Sequence, residues 1–311
     1  MRDVPPLAPS LAAPAVLLLT AAVFVGCGPG PSPEASAAAP ASTPSFDGVP
    51  IVYEVHGPDG RSGAGAGEPS PAPLVLVHGW SCDRSYWEAQ IGPLSAGRQV
   101  VTVDLAGHGE SGMGRERWTI ASYGADVAAV LEALDLRDAI LVGHSMGGDV
   151  VVDAARIASE RVAALVWVDD YRRLGRPSDG ERIRGLVAAL REDFSGTTYD
   201  LARGRFPATA DSALVERVAR DMAAAPPEVA IPSIVSSLQN GHLVPIVLET
   251  ELDLPIATIN PDDGTTDVES MRSYGVDVVL MPNVGHFMMM EDPAGFNELL
   301  LRVVDDIERV L

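Results

Sequence analysis

The chain has 311 residues, 47% of them hydrophobic, enough for one large domain with a substantial core. Its formal charge is −21, from 43 acidic against 22 basic residues, and every basic residue is an arginine. That excess of acid argues against nucleic acid or an anionic membrane surface as a partner, and two cysteines without clustered histidines argue against a structural metal site.

Leu11 to Gly26 is apolar but interrupted by Pro14, and it is shorter than the ~20 residues a membrane span needs. Residues 1–26 therefore read as a signal peptide. Gly26 before Cys27 resembles a bacterial lipobox, in which the cysteine is lipidated after cleavage. The expectation is an exported, envelope-anchored or otherwise secreted protein that touches membrane only through Cys27. With Cys27 lipidated, Cys82 has no intramolecular partner. Gly28 to Ser45 holds only Gly, Pro, Ser, Thr, Ala and one Glu. Nothing there buries apolar area, so residues 27–45 are expected to form a flexible tether.

Phe46 to His56 reads as an Asp-Gly turn followed by an alternating strand, and Gly57 to Pro73 as a loop. From Leu74 the pattern is regular. Leu74–Val77, Val100–Val103, Ile140–Val142 and Leu165–Val168 are short, almost continuous apolar runs, the signature of strands covered on both faces. Helical candidates lie between them near Tyr86–Leu94, Ile120–Leu134 and Asp149–Ser159. The alternation indicates a mostly parallel α/β sheet flanked by helices. Residues 170–245 lack strand-like runs and read as a helical lid, with helices at Glu181–Glu192 and Ser212–Ala224 and breaks at Pro207, Pro226-Pro227 and Asn240-Gly241. Strands resume at Pro255–Ile259 and Val276–Met281, and a last helix runs from about Ala294 to Val310. The core is thus expected over 46–169 and 246–311.

Gly143-His144-Ser145-Met146-Gly147 stands where one apolar run gives way to a helical segment. A strand turning sharply into a helix around Gly-x-Ser-x-Gly lifts the serine hydroxyl out of the sheet and leaves helix amides free for a developing anion. His78-Gly79-Trp80 closes the first apolar run, Asp104 with Gly107-His108-Gly109 closes the second, and Gly285-His286 follows the last strand. In this order and spacing the four motifs resemble the α/β-hydrolase superfamily over residues 46–311. More narrowly, His78–Trp87 and Ile259–Asp262 resemble signatures of bacterial single-domain hydrolases.

The resemblance implies a serine hydrolase acting on a small-molecule acyl substrate without metal, nucleotide or organic cofactor. Ser145 is then the nucleophile and His286 its base. The acid should fall between them in the chain. Asp262 holds the family position, Asp263 is its neighbour, and Asp169 and Asp170 occupy an alternative position after Leu165–Val168. Backbone amides of Trp80 and Met146 would form the oxyanion hole. His78 and His144 are expected to hold loops in shape, Asp104 to fix a loop, and His56, His108 and His242 to be structural or surface residues. The Trp80 side chain should wall the acyl pocket, while Met288 and Met289 belong to the core. Serine at the elbow argues against the aspartate-using dehalogenase and epoxide hydrolase branches. A carbon–carbon bond hydrolase, a transacylase and a non-enzymatic binding lipoprotein remain as alternatives, and oligomeric state is not legible.

Overall fold

Four all-buried apolar runs demand a sheet covered on both sides, and the structure supplies it. The computed structural model describes residues 40–58, 71–175, 179–241 and 243–311. The signal peptide, Cys27, most of the tether and His242 lie outside the described residues. Eight strands follow in chain order: β1 (Ala41–Pro44), β2 (Pro50–His56), β3 (Leu74–Val77), β4 (Val100–Val103), β5 (Ala139–His144), β6 (Val162–Val168), β7 (Ile256–Pro261) and β8 (Val276–Met281). They form one sheet in the order β1-β2-β4-β3-β5-β6-β7-β8. The first two strands pair antiparallel and the rest run parallel. Every residue of β3, β4 and β5 is buried, as continuous Val, Leu and Ile runs require.

Helices α1 (Glu88–Ser95), α2 (Ile120–Ala133) and α3 (Met146–Ile157) connect the parallel strands. Near the C-terminus, α9 (Val268–Ser273) precedes β8, and α10 (Met288–Glu291) and α11 (Pro293–Glu308) follow it. Helices α2 and α3 pack on each other, and α1 packs on α10 and α11. Between β6 and β7 the chain inserts α4 (Gly180–Glu192), α5 (Phe194–Arg203), α6 (Ser212–Ala223), α7 (Pro227–Asn240) and α8 (Val244–Thr250). Asp179, Asp193 and Asp211 cap the first three of these by accepting amide protons of the opening turn, and Pro227 opens α7. Helix α7 rests on α2 and α3, which brings the insertion over the sheet's central helices. Among the described residues no helix is long and apolar enough to cross a membrane.

The tether ends earlier than its composition suggests. Ala41–Pro44 pairs with Pro50–Tyr53 as an edge strand. It buries little; backbone pairing and a polar cluster hold it instead. Ser45 Oγ donates to Asp126 at 2.5 Å, and Arg115 bridges Asp47 (2.8 Å) and the fully buried Asp126 (2.5 Å). Hydrophobic patterning cannot report a strand fixed in this way.

Candidate active site

The glycines around Ser145 are dictated by contact. A Cβ on Gly143 would run into the Gly147 carbonyl, and one on Gly147 would lie 2.6 Å from the Val77 oxygen. With both absent, β5 can turn straight into α3. The turn holds Ser145 at φ 51°, ψ −127°, a conformation that costs a non-glycine residue on the order of 1–3 kcal/mol. Its amide donates to Val168 O at 3.0 Å, tying the turn to the end of β6. The loop after β3 lies against the same residue, since a Cβ on Gly79 would sit 3.2 Å from Ser145 Cβ. Met146 is the first residue of α3, so its amide has no acceptor within the helix. Among the described residues the Trp80 amide likewise donates to no main-chain oxygen.

His286 sits in the loop after β8, held on several sides. Its amide donates to Arg205 O at 3.0 Å, and its carbonyl accepts from His144 Nε2 at 2.9 Å. Glu291 accepts the flanking amides of Gly285 (2.9 Å) and Phe287 (3.1 Å). On the ring, Nδ1 donates to Asp169 Oδ2 at 2.7 Å. That bond keeps the ring proton on Nδ1 and leaves Nε2 free to accept one. Ser145 and His286 line the same cavity without a hydrogen bond between them, the looser arrangement common before substrate binds.

The carboxylate at the imidazole is therefore Asp169, not Asp262. Asp169 follows β6 with φ 44°, and its side chain is 0% exposed. Burial alone would raise its carboxyl. The hydrogen bond and charge of His286, reinforced by Arg172, outweigh burial and hold it down at about 2. Arg172 grips it through two contacts of 2.9 Å. Asp262 is exposed, its amide engaged with Met281 O at 2.9 Å. The reason is register: β7 still pairs with β8 at Pro261, so the chain leaves the sheet with Asp262 facing solvent. Asp263 meets Arg172 instead of the imidazole, at 2.6 Å. Asp170 is turned away as well. Its carboxylate abuts Gly148, and Oδ2 has no hydrogen-bond partner among the described residues.

The other histidines shape loops. His78 Nδ1 donates to Gly79 O (2.8 Å) and Nε2 accepts from the Leu105 amide (3.0 Å), which joins the exits of β3 and β4. Desolvation drives His78 down to about 4 and His144 and His108 to about 3, so all three stay neutral. His56 is buried against Glu54. Asp104 accepts the amides of Arg84 (2.8 Å) and Glu110 (2.9 Å) and pairs with the Arg84 guanidinium, a loop-fixing role. Met288 and Met289 are fully buried core residues.

A cavity of about 580 Å³ covers the serine and imidazole. Trp80, Leu186, Leu201, Ile234 and Phe287 give it apolar walls, and Arg182, Arg205 and Asp179 add charge. Trp80 Nε1 donates to Ala230 O at 2.7 Å, pinning α7 over the cavity. Cys82 is a buried free thiol on its wall, and burial pushes its pKa up. Among the described residues no group of three or more His, Cys, Asp or Glu could hold a metal ion.

A second tie between the insertion and α3 is acidic. Asp149 accepts from Tyr171 Oη, from Ser237 Oγ at 2.6 Å and from Asn240 Nδ2 at 3.2 Å. Burial pushes its carboxyl up to about 6; those three donors oppose the shift and the Asp153 charge adds to it. A folded-state value above the unfolded one means that the folded protein holds this proton more tightly. Its stabilising contribution is complete below about pH 3.8 and is lost as pH rises through about 6. Asp149→Asn removes that loss, so the Tm difference, variant minus wild type, grows between pH 4 and pH 7. A difference independent of pH contradicts the assignment.

Comparison with known proteins gives a consistent picture. The model described as "Alpha/beta hydrolase family" matches residues 74–299. The chain is 24% identical over 270 residues to 3-oxoadipate enol-lactonase 1 of Acinetobacter baylyi, covering 84% of this chain and 95% of that protein. It is 40% identical over 124 residues to a non-heme chloroperoxidase of Streptomyces lividans, covering 39% of this chain and 41% of the relative. Matches of this second kind, with locally high identity, span only about a third to two fifths of the curated relatives' length. Among solved structures, an esterase from Thermogutta terrifontis superposes with a TM-score of 0.70 at 22% identity, over 87% of this chain and 99% of that one.

Proposed function

The chain belongs to the alpha/beta hydrolase family and is an enzyme, and on that premise we propose that it hydrolyses a carboxylic ester-like bond by acyl transfer through Ser145. The observation that carries this reading is the Asp169–His286 hydrogen bond at 2.7 Å at the wall of the cavity that also contains the strained Ser145.

A serine hydroxyl needs a base to become a useful nucleophile. His286 Nε2 takes the Ser145 proton as Oγ attacks the substrate carbonyl. The oxyanion forms beside the free amides of Met146 and Trp80, each worth about a hundredfold to a thousandfold in rate. The carbon–oxygen bond to the leaving alcohol breaks, and His286 returns the proton to that alcohol. Water, deprotonated by the same nitrogen, then attacks the acyl-enzyme. The acid is released and Ser145 regains its proton. Asp169 holds the ring tautomer and stabilises its charged form. Arg172 and Glu291 position the acid and the loop that carries the base.

Mixing the protein with an activated short-chain ester and quenching within one turnover tests the reading. The expected result is an added acyl mass on the peptide that contains Ser145, followed by release of the free acid. Acid release with no adduct, or an adduct on another residue, contradicts it.

A further inference from the structure

Arg205 stands out by its lack of a partner. Acidic residues outnumber arginines 43 to 22 in this chain, and the arginines just after β6 are engaged: Arg172 with Asp169 and Asp263, Arg173 with Asp267. Arg205 lines the cavity with Ser145 and His286. Its guanidinium makes neither an ion pair nor a hydrogen bond among the described residues. Arg205 is exposed as a residue, yet enough protein lies around its guanidinium that desolvation lowers its pKa; nearby Asp169 opposes the shift, while Arg172 and Arg182 add to it. Asp169 is close enough to be felt, but His286 and Arg172 already occupy its two oxygens.

The position of this cation is also fixed. The Arg205 carbonyl accepts the His286 amide at 3.0 Å, so its backbone is attached directly to the loop carrying the imidazole. Gly285 permits that approach, since a Cβ there would run into the Arg205 carbonyl. Arg182, on α4, lines the same cavity without a carboxylate partner among the described residues. Among the described residues the one acid on the wall is Asp179, which is committed to capping α4, where it accepts two amides at 3.1 Å. Among the described residues, two exposed arginines without carboxylate partners thus line the cavity that holds the serine.

We propose that the cavity takes acyl substrates that carry a carboxylate, and that Arg205, assisted by Arg182, recognises this group. The proposal rests on reading the cavity as an acyl-transfer site. A guanidinium meets a carboxylate through two parallel hydrogen bonds, and the apolar wall of Leu186, Leu201 and Ile234 suits a short aliphatic segment between ester and anion. Recognition of this kind sets specificity, because only an anionic substrate supplies the acceptor that this cavity-lining guanidinium lacks among the described residues.

The test compares 4-nitrophenyl monoesters of the four- to six-carbon diacids with the neutral 4-nitrophenyl esters of matching length. At least one anionic ester is expected to exceed its neutral partner by about ten- to a hundredfold in kcat/KM, the range for a charged hydrogen-bonded contact. In Arg205→Gln that ratio falls to about one, and Arg205→Lys, which keeps the charge but not the fork, recovers part of it. A wild-type enzyme without preference, or a preference that survives Arg205→Gln, overturns the proposal. Binding of glutarate to the Ser145→Ala protein, read by calorimetry, needs no turnover. Affinity that disappears on adding Arg205→Gln supports the anion site even if no ester is hydrolysed, and then only the acyl-transfer reading falls. Affinity that Arg205→Gln leaves unchanged, or no binding at all, removes the anion site.

Discussion

Ser145→Ala protein is expected to turn over activated esters about a millionfold more slowly than wild type, because removing one member of the proposed triad forfeits what the group does together. The size of the effect follows from the geometry. The turn spends backbone strain at φ 51° to present one hydroxyl, and among the described residues no other hydroxyl lines the cavity. Water can still be activated by His286 in the variant, and the amides of Met146 and Trp80 remain, so a small residual rate over the uncatalysed reaction persists. The acyl adduct does not form. The substitution removes an oxygen without adding bulk, so the fold is retained and the loss reads as chemistry. Steady-state rates for both proteins, with Tm measured alongside, check this; a drop of less than about a hundredfold would place the nucleophile elsewhere.

Asp169→Asn is expected to lower kcat about ten-thousandfold, and Asp262→Asn to change it by less than about twofold. An amide at position 169 would offer its NH2 or its carbonyl to Nδ1, and the arrangement that donates to the ring moves the ring proton to Nε2, where it blocks the base. Asp262, exposed and away from the ring, has no such lever. The Asp169 substitution also acts on stability. Its carboxyl titrates at about 2 in the folded protein against 3.8 ordinarily. A lowered value means that its contribution is full above about pH 3.8 and fades as pH falls through about 2. The variant should therefore lose on the order of 2 kcal/mol at pH 7, from a shift of about two units, and far less near pH 2. Comparable kinetic losses in the two variants would restore Asp262 as the acid.

The parts of this architecture that the sequence discloses are those set by local sterics or by burial on both faces. Gly143 and Gly147 are written into the chain because a Cβ has nowhere to go, so Ser145 can be found without coordinates. The strands from Leu74 to Val168 are visible because parallel sheets admit little but Val, Leu and Ile. Which aspartate meets the imidazole is a different kind of fact. Aspartates follow β6 at 169 and 170 and β7 at 262 and 263, and only the register of the neighbouring strands decides which one meets His286. The Asp-Asp pair after β6 was a visible signal, but it did not distinguish its two members: one faces the imidazole, the other packs on Gly148.

Arg172, Glu291 and Arg205 escape sequence reading for the same reason. Each acts across a fold-level contact, as when Arg205 meets His286 from a helical insertion. The edge strand at Ala41–Pro44 was concealed by composition, since its stability comes from backbone pairing and from the Asp47–Arg115–Asp126 cluster. Helices in the insertion were legible where an aspartate cap preceded an amphipathic run, as at Asp179 and Asp211. The cavity those helices enclose was not.

The rate at which a fluorophosphonate modifies Ser145, compared among wild type, His286→Ala, Asp169→Asn and the double variant, tests most directly whether the three side chains act as one unit. The account predicts rapid modification of Ser145 in the wild type and a collapse in both single variants, with the double variant no slower than His286→Ala. Modification that proceeds at the wild-type rate without the imidazole or its carboxylate, or losses that multiply in the double variant, would contradict it.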